Sequence, residues 1–268
     1  VLCSATYLTG CADPAVRNER IATDNGLSRQ RLIGKGFAHI AYYKPRGQQP
    51  AAALHVYLSG DGSPWINRTR IAADPTPRNP VALKLMALDP SPSLYLGRPC
   101  YHGLASSTGC DPAQWTSGRY SEQVVASMTA ALETFVRDNG YKHLVLIGYS
   151  GGGVLAWLMA SRLPQTQLLV TVAANLDIDA WTRLHGYSPL HDSLNPATLA
   201  SLPPRIRQLH LVGTRDTNVP PRLVRSAMEG AGEQVMVSIK PSNHRCCWER
   251  LWPGILKDIR SISARRPD

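Results

Sequence analysis

Residues 143–163 constrain this chain more than any other stretch. Positions 144–147 form a short apolar run without a polar interruption, the pattern of a strand covered on both faces in a parallel sheet. Gly148-Tyr149-Ser150-Gly151-Gly152-Gly153 follows, and residues 154–163 are then apolar on nearly every side, as suits a helix packed deep against that sheet. One aliphatic hydroxyl, that of Ser150, is left at the turn. Glycines are needed where strand and helix backbones pass too close for Cβ atoms, and the helix turns its positive N-terminal end toward whatever lies in front of Ser150. A G-x-S-x-G pattern arises by chance about 0.1 times in a chain of this length. Its weight here comes from the buried strand before it and the apolar helix after it.

The chain has 268 residues, enough for one α/β domain with a full core. No apolar run has the length of a membrane-spanning helix. The net charge is +10, but the basic residues are spread along the chain and not interleaved with aromatics. That pattern argues against nucleic-acid binding and fits either attraction to anionic surfaces or acidic polymers, or a merely solvated basic surface. None of the six cysteines, Cys3, Cys11, Cys100, Cys110, Cys246 and Cys247, has the C-x-x-C spacing of a zinc site. Cys100 and Cys110 lie in a loop-like stretch, where a local disulfide suits an oxidising compartment. Cys246 and Cys247 read either as packed small residues or as a vicinal disulfide.

Leu8-Thr9-Gly10-Cys11 resembles a bacterial lipobox. On that reading residues 1–11 are the end of a signal peptide with its lipobox, Cys11 is lipidated, and the protein is held to a membrane of the bacterial cell envelope. The stretch opens on Val1 and shows no basic segment before the apolar part. Residues 12–36 are polar, with little periodicity, and read as a tether. From there residues 37–268 form the domain. Positions 37–43 read as an edge strand, and 51–58 as a buried strand ending in Ser59-Gly60-Asp61-Gly62. A helix over 81–88, a strand over 93–97 and a long loop over 98–120 come next. Residues 121–139 make an amphipathic helix with Ser121 as N-cap and Asn139-Gly140 as its stop. After the Ser150 unit come strands over 167–174, 208–213 and 234–239, with helices over 221–228 and 249–261. Strands alternating with helices predict a mostly parallel central sheet flanked by helices. The long connection over 175–205, with Trp181, Leu184, Tyr187 and Leu190, predicts a small cap. These aromatic and leucine side chains would bind the acyl or alcohol part of a substrate there, and His185 and His191 would face water at its rim.

A serine hydroxyl needs a base, and the base needs a partner that fixes its tautomer. In element order and motif, residues 37–261 resemble the α/β-hydrolase superfamily. The segments Leu58-Ser59-Gly60-Asp61-Gly62, Leu96-Gly97-Arg98-Pro99-Cys100 and Asn243-His244-Arg245-Cys246-Cys247-Trp248 are similar to those of proteobacterial α/β-hydrolase lipoproteins. The resemblance implies that Ser150 sits on a nucleophile elbow, with its acid and histidine following in that order on loops after later strands. Asp216, just past the 208–213 strand, matches the acid, with Asp177 and Asp179 as rivals. His244, just past the last strand, matches the histidine.

An oxyanion formed at Ser150 would be held by the N–H groups of Gly151 and Asp61. Because a carboxylate beside an oxyanion would repel it, the Asp61 side chain is expected to point away or to pair with an arginine. Gly60, Gly62, Tyr149 and Trp181 would contact substrate. The expected activity is hydrolysis of short or medium acyl esters through an acyl-enzyme, with a small-molecule substrate and no metal or organic cofactor. The same triad would serve a peptidase, thioesterase or acyltransferase, and a catalytically silent lipoprotein that binds envelope polymers stays open. Oligomeric state is not legible.

Overall fold

The structure, a computed structural model, describes residues 13–45, 53–229, 232 and 234–264. In chain order it contains α1 (Pro14–Asp24), β1 (Ser28–Ile33), β2 (Ala38–Lys44), β3 (Leu54–Leu58), α2 (Val81–Ala87), β4 (Ser93–Leu96), α3 (Glu122–Asp138) and β5 (Leu144–Tyr149). The second half adds α4 (Gly151–Ala160), β6 (Thr166–Val172), α5 (Ile178–His185), β7 (Arg207–Gly213), α6 (Pro221–Ala227), β8 (Val235–Lys240) and α7 (Trp248–Ala264). The eight strands lie in the order β1-β2-β4-β3-β5-β6-β7-β8. β2 runs antiparallel to both its neighbours, and every other pairing is parallel.

Strand periodicity divides the core into two layers. Leu54, Val56 and Leu58 of β3, with Leu144 and Leu146 of β5, pack with α3 and α4. Tyr57, Val145 and Ile147 point the other way, into the layer formed with α1, α2 and α7. Two tryptophans, Trp248 and Trp252, are fully buried in that second layer, and Trp252 Nε1 donates to Tyr57 Oη at 3.3 Å. All of α4 is buried, as its uniformly apolar sequence requires. Ser121 caps α3 by accepting from Val124 N, and Asn139 follows as its C-cap.

Two expectations need correction. Part of the segment read as a tether is folded: α1 and β1 lie within residues 12–36. β1 pairs along its whole length with β2, so β2 is an interior strand and β1 is the edge. The sequence conceals this because β1 alternates polar side chains on its open face and buries none of them fully. Its order comes from the ladder, and α1 buries only Asn18 and Ala22. Asn18 Nδ2 donates to Pro77 O at 3.2 Å, and Arg17 to Arg78 O at 3.1 Å, which ties α1 to the loop before α2.

Cys100 and Cys110 are bonded, with S–S 2.08 Å and a Cα–Cα distance of 5.6 Å. Cys11 and its lipobox lie outside the described residues. No helix among the described residues is long and apolar enough to cross a membrane.

β3 and β5 are parallel neighbours with Leu58 opposite Gly148. That register brings the chain leaving β3 beside the turn leaving β5. The carboxyl ends of β7 and β8 open on the same edge, the place where parallel α/β sheets bind ligands.

Candidate active site

Ser150 joins β5 to α4 with φ 51° and ψ −126°. L-residues rarely hold this backbone region, and such strain clusters at functional sites. The sharp turn lets α4 run back closely over the sheet, and a Cβ on Gly152 would overlap the carbonyl of Leu58.

His244 Nε2 stands 3.1 Å from Ser150 Oγ, and His244 Nδ1 stands 2.9 Å from Asp216 Oδ2. The Asp216 carboxylate is wholly buried. Its other oxygen accepts from Asn218 N at 2.9 Å and Val219 N at 2.8 Å. An ionised carboxylate only accepts, so the His244 Nδ1 carries hydrogen and Nε2 presents its lone pair to Ser150. The rivals for Asp216 are occupied elsewhere. Asp177 caps α5 by accepting from Ala180 N, and Asn195 Nδ2 bridges Asp177 and Asp179.

The histidine loop is fixed from several directions. Tyr149 Oη and Trp248 Nε1 both donate to the His244 carbonyl, at 2.8 and 3.2 Å. Asn243 Oδ1 accepts from Arg245 N and Cys246 N, and the Ser242 hydroxyl donates to Cys246 O. Cys246 and Cys247 form a vicinal disulfide, the alternative that the sequence left open. Burial, with Asp216 adding to it, pushes the Tyr149 phenol well above its ordinary range.

Asp61 lies on the loop after β3. Its carboxylate accepts from Arg98 at 2.9 Å, Arg119 at 3.0 Å and Tyr120 Oη at 2.7 Å. Arg98 is fully buried and lies over the rings of Tyr101 and Tyr120. Burial alone would raise the Asp61 pKa, but the guanidiniums of Arg119 and Arg98 prevail and hold it below the ordinary carboxylate value. Two cations and one anion leave the cluster with one net positive charge.

A Cβ on Gly151 would overlap Asp61 Oδ1 and Tyr120 Oη, so the cluster packs directly beneath the turn after Ser150. Gly151 N opens α4, where a helix has no internal acceptor for it. Neither that N–H nor Asp61 N has a protein acceptor among the described residues.

In front of Ser150 is a cavity of about 850 Å³ whose walls include Gly60, Gly62, Tyr149, Trp181 and His244. Of the cap segment only Trp181 reaches it. Leu184 and Tyr187 are exposed, and Leu190 is buried in the layer with α3 and α4. His185 does not face water freely, since its Nε2 is 2.7 Å from Asn218 O, which also accepts from Trp181 Nε1 at 3.0 Å. His191 lines a separate cavity with Leu190. α5 ends at His185, with Gly186 as its C-cap, so Tyr187, Leu190 and His191 lie beyond it and meet separate neighbours.

Arg119, Tyr120 and Asn218 carry no local motif, and Trp248 stands in the histidine segment without a role assigned to it; reading the sequence did not find these four as parts of the site. Among the described residues no group of three or more His, Cys, Asp or Glu side chains could hold a metal ion.

A strained serine at a strand-to-helix turn is thus brought into one hydrogen-bonded line with a histidine and a buried aspartate from later strand ends. Comparison of the whole chain places it among known folds. Neither the protein-family models nor the curated proteins give a match. Among solved structures it is similar to the esterase Pf2001 of Pyrococcus furiosus, at 12% identity and TM-score 0.61 over 95% of this chain and 94% of that one. It is similar also to an esterase/lipase from an uncultured bacterium, at 15% identity and TM-score 0.58 over 98% and 95%. A puromycin hydrolase matches at 15% identity and TM-score 0.61, over 89% of this chain and 39% of that one. The chain has the α/β-hydrolase fold.

Proposed function

We propose that the protein is a serine hydrolase that cleaves carboxylic esters of short or medium acyl chains through an acyl-enzyme. The observation that carries this reading is the line Ser150 Oγ, His244, Asp216, with contacts of 3.1 and 2.9 Å, at the mouth of a cavity. In the proposed reaction Ser150 Oγ attacks the ester carbonyl carbon while its proton passes to His244 Nε2. Asp216 holds the resulting imidazolium in place. The N–H groups of Gly151 and Asp61 receive the charge that develops on the carbonyl oxygen, and the net positive charge of the Asp61, Arg98 and Arg119 cluster lies beneath them. Collapse breaks the ester C–O bond, and the leaving alcohol takes the proton from His244. Water, deprotonated by the same histidine, then releases the acid.

The named activities of the esterases with this fold agree with an ester substrate. Trp181 alone of the cap lines the cavity, and a cap this small covers little acyl chain, which favours short acyl chains over long lipids. Lipidation of Cys11 and attachment to the bacterial envelope belong to the same proposal and rest on Leu8-Thr9-Gly10-Cys11 alone.

A fluorophosphonate probe tests the central claim. It should label wild-type protein at Ser150 and leave Ser150→Ala unlabelled, and p-nitrophenyl butyrate should be turned over only by the former. Absence of both labelling and turnover would sink the hydrolase reading and favour a silent binding protein.

A further inference from the structure

The cavity in front of Ser150 gathers three unpaired cations. Arg78, Arg215 and Arg245 all line it, and they arrive from three separate segments: the loop before α2, the loop after β7 and the histidine loop after β8. Each is exposed at the rim. None of the three guanidiniums has a carboxylate partner among the described residues; what sets them apart from other unpaired surface arginines is that they share one concave wall. The one carboxylate on the cavity wall, Asp61, is already shared between Arg98 and Arg119. The wall therefore carries about three uncompensated positive charges beside the nucleophile. Asn79, Thr217 and Asn243 supply further hydrogen-bonding groups between them.

A chain of net charge +10 will leave some arginines unpaired by chance. Chance does not explain why three distant segments bring theirs to one concave site, nor why that site offers no free acid. Convergent like charges repel one another and favour an anion among them, and guanidiniums suit the planar or tetrahedral oxygens of carboxylate and phosphate. The field of such a cleft also raises the local concentration of anionic substrates.

We infer that the substrate is an ester carrying an anionic group, a carboxylate or a phosphate, held by Arg78, Arg215 and Arg245 beside the scissile bond. This rests on the ester-hydrolase reading above.

The test compares kcat/KM for the neutral p-nitrophenyl butyrate with that for the mono-p-nitrophenyl ester of glutaric acid, whose free carboxylate ends the acyl chain. The anionic ester should be preferred by about tenfold at low ionic strength. That ratio should shrink in 0.5 M NaCl and in the triple variant Arg78→Gln, Arg215→Gln, Arg245→Gln. A wild-type ratio near one, or one that the triple variant leaves unchanged, overturns the inference while turnover of the butyrate ester keeps the hydrolase reading. Titration of Ser150→Ala with glutarate, and separately with inorganic phosphate, reads the anion site without turnover. Binding that the triple variant loses supports the inference, and the tighter of the two ligands names the anion. Binding of neither overturns it, whatever the fate of the hydrolase reading. Circular dichroism of the triple variant secures that its fold is intact.

Discussion

The Asn218 amide nitrogen stands 3.0 Å from His244 Nε2, the same atom that faces Ser150 Oγ at 3.1 Å. A neutral imidazole has one lone pair there, so amide and hydroxyl compete for it. Once Nε2 takes a proton, the Asn218 NH₂ faces another donor and must turn to offer its oxygen. Asn218→Asp would replace this group with a carboxylate that favours the imidazolium. The acid limb of the kcat/KM profile should then move to higher pH, by about one unit. A profile that does not move, with activity lost uniformly, would assign Asn218 a purely structural part.

Asp216 and Asp177 can be separated by substitution. Asp216→Asn should lower kcat by about 10⁴-fold, because the amide no longer fixes the histidine tautomer, and Ser150→Ala should cost at least as much. Asp177→Asn should leave turnover close to wild type, since the amide oxygen can still cap α5 and the residue is remote from His244. Steady-state kinetics on one chromogenic ester decides the matter. A larger loss in Asp177→Asn than in Asp216→Asn would reverse the assignment.

Removing the Asp61 charge should damage stability and rate together. Asp61→Asn leaves Arg98 and Arg119 buried without a counter-charge, and loss of one partner of a buried ionic group costs about 3–5 kcal/mol. Urea unfolding should show that loss, and kcat should fall because the ion cluster that packs against Gly151, beneath the turn after Ser150, is disrupted. Unchanged stability would mean that the cluster opens to solvent when its anion is removed.

Burial lowers His39, His102 and His210 to about 4. Once unfolded, each would titrate near 6.5. Between those values the unfolded chain binds more protons, so stability is full above about pH 7 and falls as the pH drops toward 4. Each histidine can contribute on the order of 3 kcal/mol to that fall. Urea unfolding at pH 7.5, 6 and 5 should show a steadily lower midpoint. His210→Gln should flatten the trend while lowering stability at pH 7.5. A midpoint that stays constant from pH 7.5 to 5 would show that these side chains are protonated without cost in the folded state.

What the sequence disclosed follows from the range of the interactions. The unit of β5, Ser150 and α4 is legible because both layers bury it, leaving an apolar run, a glycine turn and an apolar helix with no competing reading. The positions of Asp216 and His244 follow from chain order once strands are counted. Asp61 could be expected to need a cation, but Arg98, Arg119 and Tyr120 meet it across 37, 58 and 59 residues, and no local pattern records such pairings. β1 was missed for a different reason. An edge strand is stabilised by its neighbour's backbone, so its side chains need carry no apolar signature.

The folded state of residues 14–33 changes what the proposed lipid on Cys11 would do. A leash of twenty-five polar residues would let the domain sample tens of ångströms above a bilayer. With Asp13 already capping α1, only residue 12 separates the lipidated position from the folded body, a reach of about 7 Å at full extension. The domain would then rest against the headgroups and sample few orientations. Because Arg17 and Asn18 hold the carbonyls of Arg78 and Pro77, a push or pull on the anchor would be felt at the cavity wall that carries Arg78. In such a protein membrane attachment and substrate access would be mechanically linked through a single helix.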